Sequence, residues 1–416
     1  MRSSPFWLII IGLMLLLDFY VFQAVKLVSQ GAATRVRSII FISYWALSVA
    51  ALVIFILLPF LNLENHSKGL RTTIFAVVAG LFFAKFAVAI FLLLDDLRRA
   101  IQWIAAKLFF SNTEGEGIQE DNGISRSHFL TWLGLAAGGT IFGSLLHGFS
   151  NKYNYEIRTV PLKFSNLPVA FKGLRIVQIS DIHSGSFNSK RGVQEGIQKI
   201  QALKPDLILF TGDLVNNKSD EMKQYMDVFN QLKAPLGVFS VLGNHDYGDY
   251  VEWGSQQEKR DNLDQLKAVH AALGWKLLLN EHVVLERNGD KIALLGVENW
   301  SSKARFPKYG RLNSAYAGTE AIPFKILMSH DPSHWDAQVR PEYKDVDLML
   351  SGHTHGMQFG VELPWFKWSP VQYVYKQWAG LYEEGMQKLY VNRGFGFIGY
   401  PGRVGILPEI TILELV

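Results

Sequence analysis

Cysteine is absent from the 416-residue chain. No disulfide can form, and the soft sulfur ligands that favour copper(I) or an iron–sulfur cluster are missing. A strong charge of either sign is also missing: 41 Lys and Arg against 37 Asp and Glu leave a formal net charge of +4. That small surplus is spread along the chain and gives no reason to expect nucleic-acid binding. There is no internal repeat and no low-complexity segment.

What the chain does have is apolar residues, 49% of the total, which in its first third gather into long runs. Residues 6–25, 38–61 and 72–94 are apolar stretches, each long enough to cross a bilayer as a helix of about 20 residues. A fourth stretch from 129 to 148, inside a segment 128–150, is glycine-rich and carries no Asp, Glu, Lys or Arg, which favours a span. Arg98 to Phe110 reads as an interfacial helix with apolar and basic faces, followed by a polar linker, 111–127. This divides the chain into a transmembrane region 1–110, the linker 111–127, a further span 128–150 and a domain 151–416.

Loop charges set an orientation. Lys26, Arg35 and Arg37 lie in one loop and Arg98, Arg99, Lys107 and Arg126 in another on the same side, against Arg2, Lys68 and Arg71 opposite. The positive-inside rule then predicts a multi-pass protein of the cell membrane whose N-terminus and C-terminal domain both lie outside the cytoplasm. Asp18 and Lys85 fall at similar depth within spans, and an ion pair between them is expected because intramembrane charges are costly alone.

In the second half, five short motifs each follow an apolar run of strand length: Asp181-Ile182-His183, Gly212-Asp213, Gly243-Asn244-His245-Asp246, His330-Asp331 and Gly352-His353-Thr354-His355. Short, continuously apolar runs read as buried strands. In open α/β sheets the crevice beyond the carboxyl ends of strands is where loops converge on a ligand. The candidate ligands are Asp181, His183, Asp213, Asn244, His330, His353 and His355. Imidazoles, carboxylates and one amide carbonyl suit manganese, iron or zinc. Seven donors exceed what one catalytic ion takes, and fit two ions bridged by a carboxylate, with positions left for water and substrate. Asp213 is the expected bridge, since Gly212 before it permits a tight turn close to the ions.

Five motifs in this order resemble the calcineurin-like metallophosphoesterase superfamily. Gly380-Leu381-Tyr382, Tyr390-Val391-Asn392-Arg393-Gly394 and Pro408-Glu409-Ile410 further resemble its membrane-associated bacterial subfamily, typified by the YkuE and YaeI proteins. The resemblance implies a four-layer α/β/β/α sandwich, two mixed sheets flanked by helices, preceded here by an all-α region of about four spans. It implies one ion on the residues matching Asp181, His183, Asp213 and His355, and another on those matching Asp213, Asn244, His330 and His353. It also implies that His245 donates to the substrate phosphate or leaving group, steadied by Asp246, and that a hydroxide bridging the ions attacks phosphorus in line. Met357 stands where relatives commonly have glycine, and with Asn392 and Arg393 it is a candidate for the substrate pocket.

The expected activity is hydrolysis of a phosphate ester, monoester or diester, linked to a lipid or an envelope precursor. The alternatives are a nucleotide-lipid pyrophosphatase such as a UDP-diacylglucosamine hydrolase, with a cytoplasmic site, and a non-catalytic membrane sensor or scaffold. His334, four residues after His330 but across Pro332, is expected to be structural. The insertion from Gly248 to Asn262 is expected to be a surface loop.

Overall fold

The structure is a computed structural model and describes residues 5–57, 60, 68–109 and 126–416. The chain divides into two compact units, Met1–His147 and Gly148–Val416.

Among its described residues the first unit holds four helices: α1 (Pro5–Val28), α2 (Thr34–Leu57), α3 (Lys68–Phe109) and α4 (Arg126–Gly148). All four are long and apolar enough to cross a membrane. Their outward residues are apolar as well, with Leu8, Leu16 and Ile42 each more than 60% exposed, whereas Leu17, Val21, Val88 and Ala89 pack inside. A surface of this kind suits lipid, in which every backbone polar group must be bonded within the segment. The expected pair forms: Lys85 Nζ contacts Asp18 and donates to Ser48 Oγ at 2.8 Å. The Tyr44 hydroxyl donates to the Asp18 carbonyl at 2.8 Å.

The separate interfacial helix expected at 98–110 is not seen. Residues 94–98 continue one α-helix of 42 residues, roughly 63 Å at 1.5 Å per residue and about twice the hydrocarbon thickness. The reason is local: no glycine or proline interrupts the join, and Asp95 stitches it by meeting Arg98 at 2.8 Å and Arg99 at 3.3 Å, three and four residues on. Most of the expected linker, 111–125, and the end of the second stretch, 58–61 apart from Phe60, lie outside the described residues.

The second unit is built on two six-stranded sheets. The first runs in the order β1 (Glu156–Leu162), β14 (Glu409–Leu415), β2 (Arg175–Ile179), β3 (Leu207–Phe210), β4 (Val238–Ser240), β5 (Lys276–Leu277). The second runs β12 (Gly380–Glu384), β13 (Gln387–Val391), β9 (Leu348–Ser351), β8 (Lys325–Met328), β7 (Asp290–Gly296), β6 (Glu281–Arg287). Both are mixed: β2, β3 and β4 run parallel while β14 opposes β2, and β7, β8 and β9 run parallel while β6 opposes β7. A two-stranded hairpin, β10 (Val361–Leu363) with β11 (Phe366–Trp368), stands apart.

The apolar runs lack alternation because their strands are covered on both faces. Ile176, Leu207, Leu209 and Phe239 of the first sheet meet Ile326, Met328, Leu348 and Leu350 of the second in one cluster. Val177, Ile179, Ile208 and Phe210 face the other way, onto Val193, Ile197 and Ile200 of the helix Lys190–Ala202. Leu327 and Met349 likewise pack on Leu312, Trp335 and Val339. The result is the α/β/β/α sandwich, and each fully buried Leu or Ile contributes about 1.5–3 kcal/mol to it.

Candidate metal centre

All five motifs begin at or just after the carboxyl ends of β2, β3, β4, β8 and β9, so both sheets feed one place. The turns are tight. Asp181, His183, Asp213, His353 and His355 all have positive φ, between 49° and 71°, a region costly for side-chain-bearing residues and concentrated at functional sites. Gly212 has φ 100°, and a Cβ there would lie 2.6 Å from the Gly243 nitrogen and 2.9 Å from His330 Nδ1. Only glycine lets these two loops touch.

The structure brings the seven candidate ligands together in a buried cluster. Asp213 Oδ2 lies 3.5 Å from His183 Nε2 and 3.1 Å from His330 Nε2. Asp181 Oδ1 lies 3.2 Å from His355 Nε2, which is 3.1 Å from His183 Nε2. Among the described residues two groups have donor atoms close enough to hold an ion: Asp181, His183 and His355, and Asp181, Asp213 and His330. Asn244 Oδ1 faces His353 Nδ1 at 2.8 Å.

Proton bookkeeping tests whether these groups fit cations. His330 Nδ1 is 2.8 Å from the Thr211 carbonyl, which can only accept, so Nδ1 carries a proton. In the neutral ring Nε2 is then a bare acceptor facing the Asp213 carboxylate, with no hydrogen-bond partner among the described residues. His353 repeats the pattern. The Tyr375 hydroxyl donates to Asp331 Oδ2 at 3.0 Å and so accepts from His353 Nε2 at 2.8 Å. Asn244 Nδ2 donates to the Tyr250 hydroxyl at 2.8 Å, which turns Oδ1 toward the bare His353 Nδ1. Acceptor facing acceptor at such distances calls for a cation between them, and imidazoles held from behind by a carbonyl or a hydrogen-bonded hydroxyl are typical of metal ligands.

The electrostatics agree. Burial alone would lower the His330 pKa, but the Asp213 carboxylate overrides it and holds the ring up at about 10, so a proton takes the place a cation would have. Burial would raise Asp181, yet the neighbouring His355 and His330 hold its carboxyl well below the usual range. His183, buried beside other imidazoles, is pushed down.

His245 lies at the side of this cluster, its ring 4.9 Å from that of His183 and 4.4 Å from that of Tyr250. Its Nδ1 is 2.8 Å from the Asn216 carbonyl and therefore holds a proton there. Nε2 bonds no described residue.

Three expectations need correction. Asp246 does not steady His245: its carboxylate accepts from the backbone nitrogens of Gly243, Asp213, Leu214 and Val215 at 2.8–3.3 Å, and Asn216 holds the imidazole. Neighbours in one tight turn point apart, so adjacency in sequence misleads. Arg393 and Asn392 do not line an open pocket. Arg393 is buried between Glu409 at 2.5 Å and Glu362 at 2.6 Å, and Asn392 donates to Thr411 at 2.9 Å. The Gly248–Asn262 insertion is more than a surface loop, because Tyr250 touches both Asn244 and His245. Met357, by contrast, is exposed, and His334 is structural as expected, stacked on Trp300 at 4.2 Å and bonded to Ser329.

Other site residues had no signal of their own. Tyr375 and Tyr250 are ordinary tyrosines in sequence. Arg403 is fully buried with no carboxylate partner among the described residues, and donates to the carbonyls of Arg393 at 2.8 Å and His355 at 3.3 Å.

Residues 1–152 match the family described as the probable calcineurin-like phosphoesterase transmembrane domain, and residues 174–357 match the calcineurin-like phosphoesterase family. The chain is 30% identical over 306 residues to the uncharacterized metallophosphoesterase YkuE of Bacillus subtilis, covering 70% of this chain and 98% of YkuE. It is 29% identical over 269 residues to a transmembrane protein with metallophosphoesterase domain of Danio rerio, covering 62% of this chain and 57% of that protein. It is also 29% identical over 285 residues to the UDP-2,3-diacylglucosamine pyrophosphatase LpxG of Chlamydia trachomatis, covering 57% of this chain and 81% of LpxG. The chain thus spans nearly all of YkuE and little more than half of the vertebrate protein. Four membrane-type helices, a two-sheet sandwich and a buried Asp/His centre for divalent metal accompany these matches, and the chain belongs to the calcineurin-like metallophosphoesterases as a membrane-bound hydrolase.

Proposed function

We propose that this hydrolase uses two divalent ions to cleave a phosphate ester, monoester or diester, carried by a lipid or an envelope precursor. The observation that carries the reading is the position of Asp213 Oδ2 between His183 Nε2 and His330 Nε2. One ion falls to Asp181, His183, Asp213 and His355, the other to Asp213, Asn244, His330 and His353, with manganese, iron and zinc all compatible. Ions there would supply Lewis-acid polarisation of a phosphoryl oxygen and lower the pKa of a bound water to about 7.

The protein's own groups do the rest. Asp181 and Asp213 fix the charge balance so that a net positive centre receives an anion. His245, with Nδ1–H committed to Asn216, has Nε2 as the atom that meets the substrate, and when protonated it donates to the leaving oxygen. Asp246 acts one step back, holding the Gly243 and Asp213 loops in place. The loop charges support a site outside the cytoplasm.

The test is turnover of a chromogenic phosphodiester and monoester by the full chain in detergent, loaded with manganese, beside an Asn244→Ala control whose metal content is also measured. Turnover lost together with metal in the control supports the reading. Wild-type protein holding two ions and cleaving neither ester defeats it.

The similarity to LpxG favours a second reading, a pyrophosphate bond in a nucleotide-linked lipid, which needs a cytoplasmic site. A reporter fused after Asn151 separates the two: activity only in the cytoplasm supports the pyrophosphatase.

A further inference from the structure

The hairpin of β10 and β11 has its polarity reversed. Val361 pairs with Trp368 and Leu363 with Phe366, and because side chains alternate along a strand these four share one face while Glu362 and Lys367 share the other. The charged face is turned inward. Glu362 meets Arg158 at 3.0 Å and Arg393 at 2.6 Å, and Lys367 donates to the Ala379 carbonyl at 2.5 Å with its ammonium over the Trp378 ring. The apolar face is turned outward: Val361, Leu363 and Phe366 are each more than 40% exposed, and Trp365 at the tip is 81% exposed. Tyr373, 77% exposed, extends the patch through a 3.4 Å contact with Trp368. A half-solvated strand pair in water has the opposite arrangement, and contiguous outward apolar area marks a binding surface.

The course of the chain says what covers it. Gly148, the last residue of the apolar helix α4, accepts at its carbonyl from the Arg403 nitrogen at 2.9 Å. The next residue, Val404, donates to the Gln358 carbonyl at 2.8 Å and accepts from the Gly360 nitrogen at 2.9 Å. The base of the hairpin is therefore tied close to Gly148, the residue at which the chain enters this unit directly from α4, and strands of this length reach only about 10 Å from that base. Trp and Tyr, apolar with one polar handle, are the residues that settle at a bilayer interface.

We propose that the Trp365 hairpin is a second membrane contact, its tip entering the boundary between headgroups and acyl chains. The hairpin lies in the chain between His355 and Tyr375, both in the metal centre, so docking it brings that centre to the headgroup layer, where a lipid phosphate ester is found. Only this last consequence rests on the function proposed above.

The absence of cysteine makes the test direct. In the full chain, Trp365→Cys and, separately, Phe366→Cys are spin-labelled and reconstituted in liposomes, with the exposed position Gln224→Cys as the reference in water. The expected label depth is about 5–10 Å below the headgroups, with the reference label in water. Labels at both hairpin positions that remain in water overturn the proposal. So do labels shielded from aqueous and lipid-soluble relaxation agents alike, which would mean that a second copy or another protein covers the patch. The measurement reads no turnover, so its failure is distinct from failure of the phosphoesterase reading.

Discussion

The side-chain amide of Asn244 donates to the hydroxyl of Tyr250 at 2.8 Å, and this one bond decides that the oxygen of the amide, rather than its nitrogen, faces His353. Tyr250 sits on the insertion after Gly248, and its ring also flanks His245 at 4.4 Å. A residue outside the ligand set thus orients one ligand and braces the imidazole beside it.

Tyr250→Phe should therefore keep the ring and lose the orientation. The expected result is metal affinity weakened about 10-fold or more, as for other groups standing behind a ligand, with the His245 contact intact. Tyr250→Ala should add a fall in kcat at saturating metal. Metal titration by calorimetry, beside kinetics, separates the two effects; equal affinity in wild type and Tyr250→Phe would refute this account.

Asp246→Asn replaces an acceptor of four backbone N–H groups with a side chain that has one acceptor and one donor. Each buried group left unpaired costs about 1–3 kcal/mol. The variant should melt lower and lose metal, whereas a residue that merely oriented His245 would lower kcat with folding unchanged. Thermal unfolding with and without metal discriminates these outcomes.

His270 gives an acid limb to the stability profile. It is fully buried against Phe210 and Trp275, neither ring nitrogen has a partner among the described residues, and burial pushes its pKa down from 6.5 to about 3. Between those values the unfolded chain binds a proton that the folded one refuses. Stability should thus fall as the pH drops below about 6.5, by at most ~1.4 kcal/mol per pH unit, until the folded ring itself titrates near 3. His270→Leu should flatten that limb and raise the melting temperature at neutral pH, since it also removes two unsatisfied polar atoms. An unchanged pH slope in the variant would show that other groups dominate.

Asp18 and Lys85 should behave as one unit. Removing either partner leaves a buried charge and should cost about 3–5 kcal/mol. In Asp18→Asn combined with Lys85→Leu, much of that cost should return. Detergent-solubilised melting temperatures of the four proteins complete the cycle, and additive effects would mean that the contact is not an interacting pair.

The legible parts of this chain are those fixed by local pattern. Runs such as Val346 to Ser351 are short and mostly apolar, the mark of strands covered on both faces, and the metal-type residues at their ends identify the centre. The illegible parts depend on distant partners or on backbone angles. Arg393 in a glycine-rich loop looks available until Glu362 and Glu409 close on it. Asp246 looks like the companion of His245 until the turn aims it at four backbone nitrogens. The left-handed backbone at Asp181, His183, Asp213, His353 and His355 has no compositional trace, because Asp and His are chosen there for their side chains and only tolerate the conformation.

Asp181, His183, Asp213 and Asn244 hang from the first sheet, while His330, His353 and His355 hang from the second. Ions shared between these sets would stitch the two halves of the sandwich at one end, a removable cross-link in a chain that can make no covalent one. Such a clasp adds about 2.7 kcal/mol when the free ion is at a hundred times its dissociation constant. Metal supply would then govern how long the domain survives as well as how fast it works, and starvation for the ion would let the sheets part first at the strand ends that carry the centre.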